Sequence, residues 1–146
     1  MIAIYTLKTE ASFDSAHFLA GYDGKCRNIH GHRWRVVIKA SSDRLIEDGS
    51  CRGMLMDFAD IKAALKKEAD YLDHSLIIEK GSLRLKTLEA LHEENFRVLE
   101  MDFRPTAENL ARYFFKKLED AGVPVTEAEV YETPNNCACY SEGGEA

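Results

Sequence analysis

The stretch KCRNIHGHRWRVVIKA, from Lys25 to Ala40, decides how this chain is expected to fold. Its second half alternates between charged residues and apolar or aromatic ones, which is the period of a strand with one buried face. The pattern therefore predicts a long strand that begins with two imidazoles on its buried side. The charged face carries Arg33, Arg35 and Lys39, and the buried face carries His30, His32, Trp34, Val36 and Ile38.

The segments around this strand predict the order strand, strand, helix, helix, strand, strand. Loosely alternating residues 1–20 indicate a first strand, which ends in the loop GYDGK and can pair antiparallel with the second. Asp57 is a candidate N-cap of a helix that ends just before Asp73, and Thr106 is the candidate N-cap of a second helix. The segment VTEAEVYETPNNCACY predicts two more strands, joined by a turn at residues 134–136.

An insertion is expected between the two helices, over residues 75–103. Leu85, Leu88 and Leu91 have the spacing of a short extra helix, and FRVLEMDF indicates an extra strand. The length of 146 residues fits one domain covering the whole chain, 1–146. Only the tail, residues 141–146, is expected to be disordered.

Composition excludes several classes of protein. The chain is 45% hydrophobic and 30% charged, and it contains no apolar run near the ~18 residues that a membrane span needs. The N-terminus lacks the pattern of a signal peptide, so a cytoplasmic location is expected. The net charge of −6 argues against nucleic acid as a partner. The four cysteines are expected to be free thiols, with Cys137 and Cys139 interpreted as small apolar residues on one strand face.

Three histidines form a candidate metal site. Side chains at i and i+2 of a strand point the same way, so His30 and His32 can share one ion. His17, at the end of the preceding strand, lies opposite them if the two strands pair across the loop. Three neutral imidazoles with an open fourth position are typical of catalytic zinc. The alternative is three unrelated histidines, each packed or hydrogen-bonded for its own reason.

Cys26 is a candidate base because it precedes His30 by four residues. A dication and Arg27 close to the thiol would favour the thiolate, which is its reactive form. The alternative is a loop cysteine without a role. Asp73 can likewise orient the ring of His74 for proton transfer, although a histidine at a helix C-terminus also suits the helix dipole.

Glu132 is a candidate ligand-binding residue. Alternation places it on the same strand face as Val130, so its carboxylate is expected to point toward an apolar layer and to need a partner. A ligand with two adjacent N–H donors would meet that need. An exposed strand glutamate is the alternative.

Taken together, these motifs resemble the family of 6-pyruvoyl-tetrahydropterin and 6-carboxy-tetrahydropterin synthases. The resemblance covers nearly the whole chain in order, and four of the five histidines fall on motif positions. The matching motifs are SAH ending at His17, CRNIHGH from Cys26 to His32, LDH ending at His74, PTAEN from Pro105 to Asn109, and YET from Tyr131 to Thr133.

The resemblance implies the α+β tunnelling fold (T-fold): an antiparallel four-stranded sheet with two helices on one face. It also implies trimers that stack as homohexamers, with active sites at subunit interfaces. The site residues it implies are His17, His30 and His32 for Zn²⁺, Cys26 as the catalytic cysteine, Asp73 and His74 as the acid/base dyad, Glu132 as the anchor of the pterin ring, and Thr106 as a further substrate contact.

The implied substrate is 7,8-dihydroneopterin triphosphate, a small molecule. Three residues separate Cys26 from His30, and this spacing resembles the carboxy synthases of queuosine biosynthesis, whereas the pyruvoyl synthases have a longer one. The expected enzyme is therefore a zinc-dependent lyase that forms 6-carboxy-5,6,7,8-tetrahydropterin and releases acetaldehyde and triphosphate. VYETPNN is more similar to the pyruvoyl branch, so pyruvoyl-tetrahydropterin formation or side-chain aldol cleavage stay open, as does metal or pterin binding without turnover.

Overall fold

Two long strands, β1 (Tyr5–His17) and β2 (His30–Ser42), form the antiparallel pair predicted from the alternating pattern. Their register places His17 opposite His30 and Phe13 opposite Trp34. The turn between them contains a short 3₁₀ helix at Lys25–Arg27. The histidine-bearing ends of both strands therefore meet at the same end of the sheet.

The computed structural model describes residues 3–143. Residues 141–143 carry no helix or strand, and the rest of the tail for which disorder was predicted, residues 144–146, lies outside the described residues. After β2 the chain forms α1 (Phe58–Leu72), β3 (Ser75–Glu79), α2 (Leu85–Glu93), β4 (Val98–Met101), α3 (Ala107–Asp120), β5 (Val125–Thr133) and β6 (Asn136–Tyr140).

The sheet has six strands in the order β4-β3-β1-β2-β5-β6, rather than the four expected. The additional strands are β3, which was not predicted, and β4, which lies within the extra strand predicted at FRVLEMDF. They pair parallel to each other, β3 also pairs parallel to β1, and α2 is the predicted extra helix. With α2 between them they form a βαβ unit, which adds to the sheet through the free edge of β1. The α+β class is confirmed, but the segment expected as an insertion is part of the sheet.

Helices α1 and α3 begin at the predicted caps and cover one face of the sheet. The Asp57 carboxylate accepts a hydrogen bond from the Ala59 amide at 2.9 Å, and the Thr106 hydroxyl accepts one from the Asn109 amide at 3.1 Å. The apolar faces of the helices pack against β1, β2 and β5 through Ile61, Leu65, Leu72, Leu110, Phe114 and Leu118, all of which are buried. None of the helices in residues 3–143 is long and apolar enough to cross a membrane.

Aromatic rings form the part of the core nearest the histidines. Phe13 and Trp34, opposite each other on β1 and β2, stack with ring centroids 6.1 Å apart, and Phe114 of α3 lies 5.9 Å from Phe13. Burying one such side chain is worth about 1.5–3 kcal/mol. The Trp34 indole donates a hydrogen bond to the Ser15 carbonyl at 3.2 Å, so this packed layer also fixes the spacing of the two strands beside His17.

Candidate metal centre

Four side chains meet at the end of the sheet where β1 ends and β2 begins. His17 comes from the last position of β1, His30 and His32 from the start of β2, and Glu132 from the end of β5. One donor atom of each lies within 4.8 Å of the others. The structure thus brings together the three histidines predicted as ligands and adds a carboxylate, and we call these four residues the histidine cluster.

Hydrogen bonds to backbone carbonyls orient two of the imidazoles. The Nδ1 atom of His17 lies 2.7 Å from the Pro105 carbonyl oxygen, and Nδ1 of His30 lies 2.7 Å from that of Asn28. A carbonyl oxygen can only accept, so Nδ1 carries the proton in both rings and Nε2 holds a free lone pair. Supporting bonds of this kind are typical of metal-binding histidines.

The Nε2 atoms of all three histidines are buried. Within residues 3–143 that of His30 has no hydrogen-bond partner, and those of His17 and His32 face only the Glu132 carboxylate. Buried polar atoms normally have a partner, so three buried nitrogens that have a single carboxylate among them need an explanation. Burial lowers the pKa of His17 and that of His32, although the Glu132 carboxylate opposes the shift in both.

Glu132 contacts the imidazoles directly. Its Oε1 atom lies 2.9 Å from Nε2 of His32 and 3.4 Å from Nε2 of His17. The alternation of the strand predicted this carboxylate on the inner face but gave no sign of its contact with the histidines. The connection follows from the pairing of β5 with β2, in which Tyr131 lies opposite Arg35, so that the next residue of β5 extends toward His32.

The donor set of the histidine cluster fits a zinc ion. Three neutral imidazoles and one carboxylate are ligands that Zn²⁺ accepts, and the carbonyl bonds to His17 and His30 provide the outer support that such sites need. For His17 and His30 the fit requires no change in the tautomers that the structure assigns. If Glu132 binds another group instead, three imidazoles and an open position remain, which is the arrangement of a catalytic site.

A cleft of about 560 Å³ borders the cluster at His32 and Glu132, and its lining includes Arg33, Arg35 and Tyr131 from the opposite face of the sheet. This volume is within the range of small-molecule sites. Two guanidinium groups at its wall favour an anionic ligand, although Arg33 is paired with Asp14 and Arg35 with Glu10.

Cys26 lies in the 3₁₀ helix before β2 and is partly exposed. Its thiol is not one of the atoms of the histidine cluster. Its backbone carbonyl accepts a hydrogen bond from the Leu19 amide at 2.9 Å, which ties the loop to the end of β1. The Asn28 side chain donates to the Lys25 carbonyl at 3.0 Å, while the Asn28 carbonyl accepts from His30. The loop that carries the thiol therefore also orients a histidine of the cluster.

Asp73 and His74 form a hydrogen-bonded pair at the end of α1. Nδ1 of His74 lies 2.8 Å from Oδ2 of Asp73, whose Oδ1 accepts from the Asp14 amide at 2.8 Å. These two bonds lower the pKa of Asp73. The His74 side chain is 79% exposed, and within residues 3–143 no side-chain hydrogen bond or ion pair joins the Asp73–His74 pair to the histidine cluster. The structure forms the predicted pair but leaves it apart from the histidines of its own chain.

Two supporting groups were not predicted. Arg97, between α2 and β4, donates through its guanidinium to the carbonyl oxygens of Tyr71 and Asp73, and so fixes the backbone beside His74. Pro105 supplies the carbonyl that orients His17, and Thr106 follows it directly as the cap of α3. No side-chain signal marks a carbonyl acceptor in a sequence, and Arg97 lies in the segment expected to be an insertion.

Comparison with known proteins gives a consistent result. The sequence profile described as 6-pyruvoyl tetrahydropterin synthase matches residues 6–143. Proteins named 6-carboxy-5,6,7,8-tetrahydropterin synthase from Haemophilus influenzae and Synechocystis are 34% and 37% identical to the chain. The first alignment covers 95% of this chain and 100% of the relative, and the second covers 94% and 93%.

Solved structures share the fold. An uncharacterized protein from Wolinella succinogenes superposes with a TM-score of 0.81 at 22% identity, covering 97% of this chain and 99% of the other. The 6-pyruvoyl tetrahydropterin synthase of Caenorhabditis elegans superposes with a TM-score of 0.68 at 25% identity, covering 97% and 98%. The fold implied by the resemblance is thereby confirmed.

Proposed function

Because this chain belongs to the 6-pyruvoyl tetrahydropterin synthase family, we propose that it converts 7,8-dihydroneopterin triphosphate to 6-carboxy-5,6,7,8-tetrahydropterin, in a zinc-dependent reaction on the route to queuosine. One of the three side-chain carbons becomes the carboxylate, and the other two leave as acetaldehyde together with triphosphate, with one water consumed to supply the fourth oxygen of the products. The observation that carries the proposal is the convergence of three imidazoles and one carboxylate, whose donor atoms all lie within 4.8 Å of one another.

Zinc is the metal that best suits this donor set, with His17, His30 and His32 as its ligands. When bound, it supplies a Lewis acid beside the side-chain hydroxyls of the substrate, which acidifies the adjacent C–H bonds. The protein contributes orientation, because the carbonyl bonds to His17 and His30 fix two of the three ligand rings before the ion arrives.

Glu132 positions the pterin. A carboxylate can accept two parallel bonds from the ring N–H and the amino group, and this would fix which edge of the ring faces the histidines. In the structure Glu132 lies against His17 and His32 and at the cleft, so a small rotation of its side chain suffices to reach a ligand there. The hydroxyl of Thr106 accepts the capping bond and keeps its own proton to donate to the same ligand.

Cys26 and the Asp73–His74 pair transfer protons. The Cys26 thiolate would accept a proton from the substrate side chain, and His74, oriented by Asp73, would return one during the rearrangement. The exposure of His74 and its separation from the histidine cluster favour an assembly in which the pair of one subunit faces the cluster of another. We therefore propose the homohexamer of the family as the active form.

The carboxy product is favoured over the pyruvoyl product for two reasons. The relatives from Haemophilus influenzae and Synechocystis, at 34% and 37% identity, are named carboxy synthases, whereas the pyruvoyl synthase of Caenorhabditis elegans is 25% identical. The short spacing between Cys26 and His30 keeps the thiol close to the strand that carries the ligands. The two hydrogen bonds of Asn28, to the Lys25 carbonyl and from the His30 ring, restrict the conformation of the loop between them.

Product analysis tests the proposal. Protein loaded with Zn²⁺ is incubated with 7,8-dihydroneopterin triphosphate, and the products are identified by mass together with an assay for acetaldehyde. We expect acetaldehyde and the carboxy product in equal amounts, and neither from the Cys26→Ala variant. A pyruvoyl product without acetaldehyde would assign the other branch of the family. Bound but unaltered pterin would indicate binding without turnover.

A further inference from the structure

A second group of metal-ligating side chains lies between β5 and the edge strand β6. The sulfur atoms of Cys137 and Cys139 and a carboxylate oxygen of Glu129 lie within 4.8 Å of one another. The pairing of the two strands places Cys139 opposite Glu129. The function proposed for the histidine cluster uses none of these three residues.

The two sulfur atoms have the separation that a shared ion requires. They are 4.0 Å apart, and two thiolates bound to one tetrahedral ion at about 2.3 Å lie about 3.8 Å apart. Because Cys137 and Cys139 are at i and i+2 of one strand, their side chains project from the same face. A shift of a few tenths of an ångström would therefore complete the pair of bonds.

Glu129 can supply a third ligand without losing its own support. Its Oε2 atom lies 2.8 Å from the Lys39 ammonium, while Oε1 has a longer contact of 3.4 Å with the Tyr131 hydroxyl. Lys39 is shared, since it also lies 2.9 Å from the Glu127 carboxylate. The ammonium thus stays paired when Glu129 turns toward an ion, and it offsets the excess negative charge of two thiolates and a carboxylate.

We infer that Cys137, Cys139 and Glu129 form a second metal site, which takes a thiophilic divalent cation such as Zn²⁺ or Cd²⁺. Two thiolates select soft and borderline ions over Mg²⁺ and Ca²⁺, whose preferred ligands are oxygens. Each thiol releases its proton to solvent as its sulfur binds the ion. Both cysteines are exposed, so the ion has access from solvent and the fourth position is left to water.

The inference is independent of the function proposed above, because the two donor groups share no residue. Cys26 must be distinguished from Cys137 and Cys139 as the source of any metal–thiolate signal, because it lies in the loop that orients His30. Cys51 provides a matched control, as a partly exposed free thiol elsewhere in the chain.

Titration of the full chain with Cd²⁺ tests the site, with the ultraviolet charge-transfer band of cadmium thiolate as the readout. We expect two ions per chain, one of which produces the thiolate band. The double variant Cys137→Ser/Cys139→Ser should lose the band and one ion while it keeps the ion of the histidine cluster, which also shows that it is folded. The Cys51→Ser variant should keep both ions and the band.

A second readout maps the thiols. Cd²⁺ should protect Cys137 and Cys139, but not Cys51, from alkylation detected by peptide mass. In the Glu129→Gln variant the affinity for the second ion should fall by more than about tenfold. Losing a group that only supports a metal ligand already lowers affinity by about that factor, and Glu129 is expected to be a ligand itself. The inference is wrong if the band disappears only in Cys26→Ser, if the double variant still binds two ions, or if Glu129→Gln binds as tightly as the unaltered chain.

Discussion

The Nδ1–H group of His17 donates a hydrogen bond of 2.7 Å to the carbonyl oxygen of Pro105. This bond joins the last residue of β1 to the residue just before the cap of α3, so the orientation of one candidate ligand depends on where a helix begins. A substitution of His17 should therefore act mainly on metal binding, whereas a substitution at the start of α3 should act mainly on stability.

Replacing a cluster histidine should abolish metal binding at that site. His30→Ala removes one of the three imidazole ligands. Loss of a group that only supports a ligand lowers metal affinity by up to about 100-fold, so we expect the loss of a ligand itself to lower the affinity for Zn²⁺ by more than that. Metal content per chain after dialysis against a weak chelator measures the effect. His92→Ala is the matched control, because His92 is exposed on α2 and should leave the metal content unchanged.

The metal-free protein should lose stability as the pH falls through the imidazole range. Burial lowers the pKa of His17 and that of His32 below the usual 6.5, so the unfolded chain binds more protons than the folded chain just below that pH. The free energy of unfolding should be constant above that range and decrease as the pH falls below about 6.5.

Denaturant titration between about pH 8 and pH 5 measures this dependence. The slope should be smaller in His17→Gln, because that variant removes the more deeply buried ring. The lowered pKa of Asp73 acts only near and below the carboxylate value of 3.8, so it does not contribute in this window. If the free energy of unfolding depends equally on pH in the unaltered chain and in His17→Gln, the lowered pKa of His17 is not the cause of the pH dependence.

Thr106 should affect stability and substrate binding separately. Thr106→Ala removes the capping bond to Asn109 and should cost about 1 kcal/mol of unfolding free energy. If the hydroxyl also contacts the pterin, KM should rise in this variant while the metal content stays the same. Thr106→Ser keeps the hydroxyl and should restore both quantities, whereas restored stability without restored KM would place the contact on the methyl group.

Arg97 should support turnover without touching the histidine cluster. Arg97→Ala removes bonds to the carbonyl oxygens of Tyr71 and Asp73, and because the guanidinium is exposed we expect a cost of only about 1 kcal/mol. The backbone that presents His74 would then be less well fixed, so kcat should fall at unchanged metal content. Arg44→Ala, at an exposed loop position, is the control.

The alternation of β2 was enough to predict half of the candidate site. His30 and His32 share a face because a strand has a period of two, and pairing across the loop brings His17 opposite His30. These are local consequences of backbone geometry, as are the caps at Asp57 and Thr106. Each could be read from residues close together in the sequence.

The missed features depend on contacts between distant segments. SLIIE at Ser75–Glu79 is a short apolar run that follows a helix directly, and only its pairing with β1 and β4 makes it a strand. The place of Glu132 beside His32 depends on the register between β5 and β2. Register across a sheet is set by the packed core, which a single sequence does not display.

The bonds around Asn28 have a consequence for how this chain can change over evolutionary time. The Asn28 carbonyl fixes the ring of His30, and its amide holds the turn beside Cys26. The insertion of even one codon between Cys26 and His30 would disturb both groups at once. The length of the loop between Cys26 and His30 is therefore constrained. A lineage that changed it would alter the position of a metal-ligand candidate and of the thiol in the same mutational step.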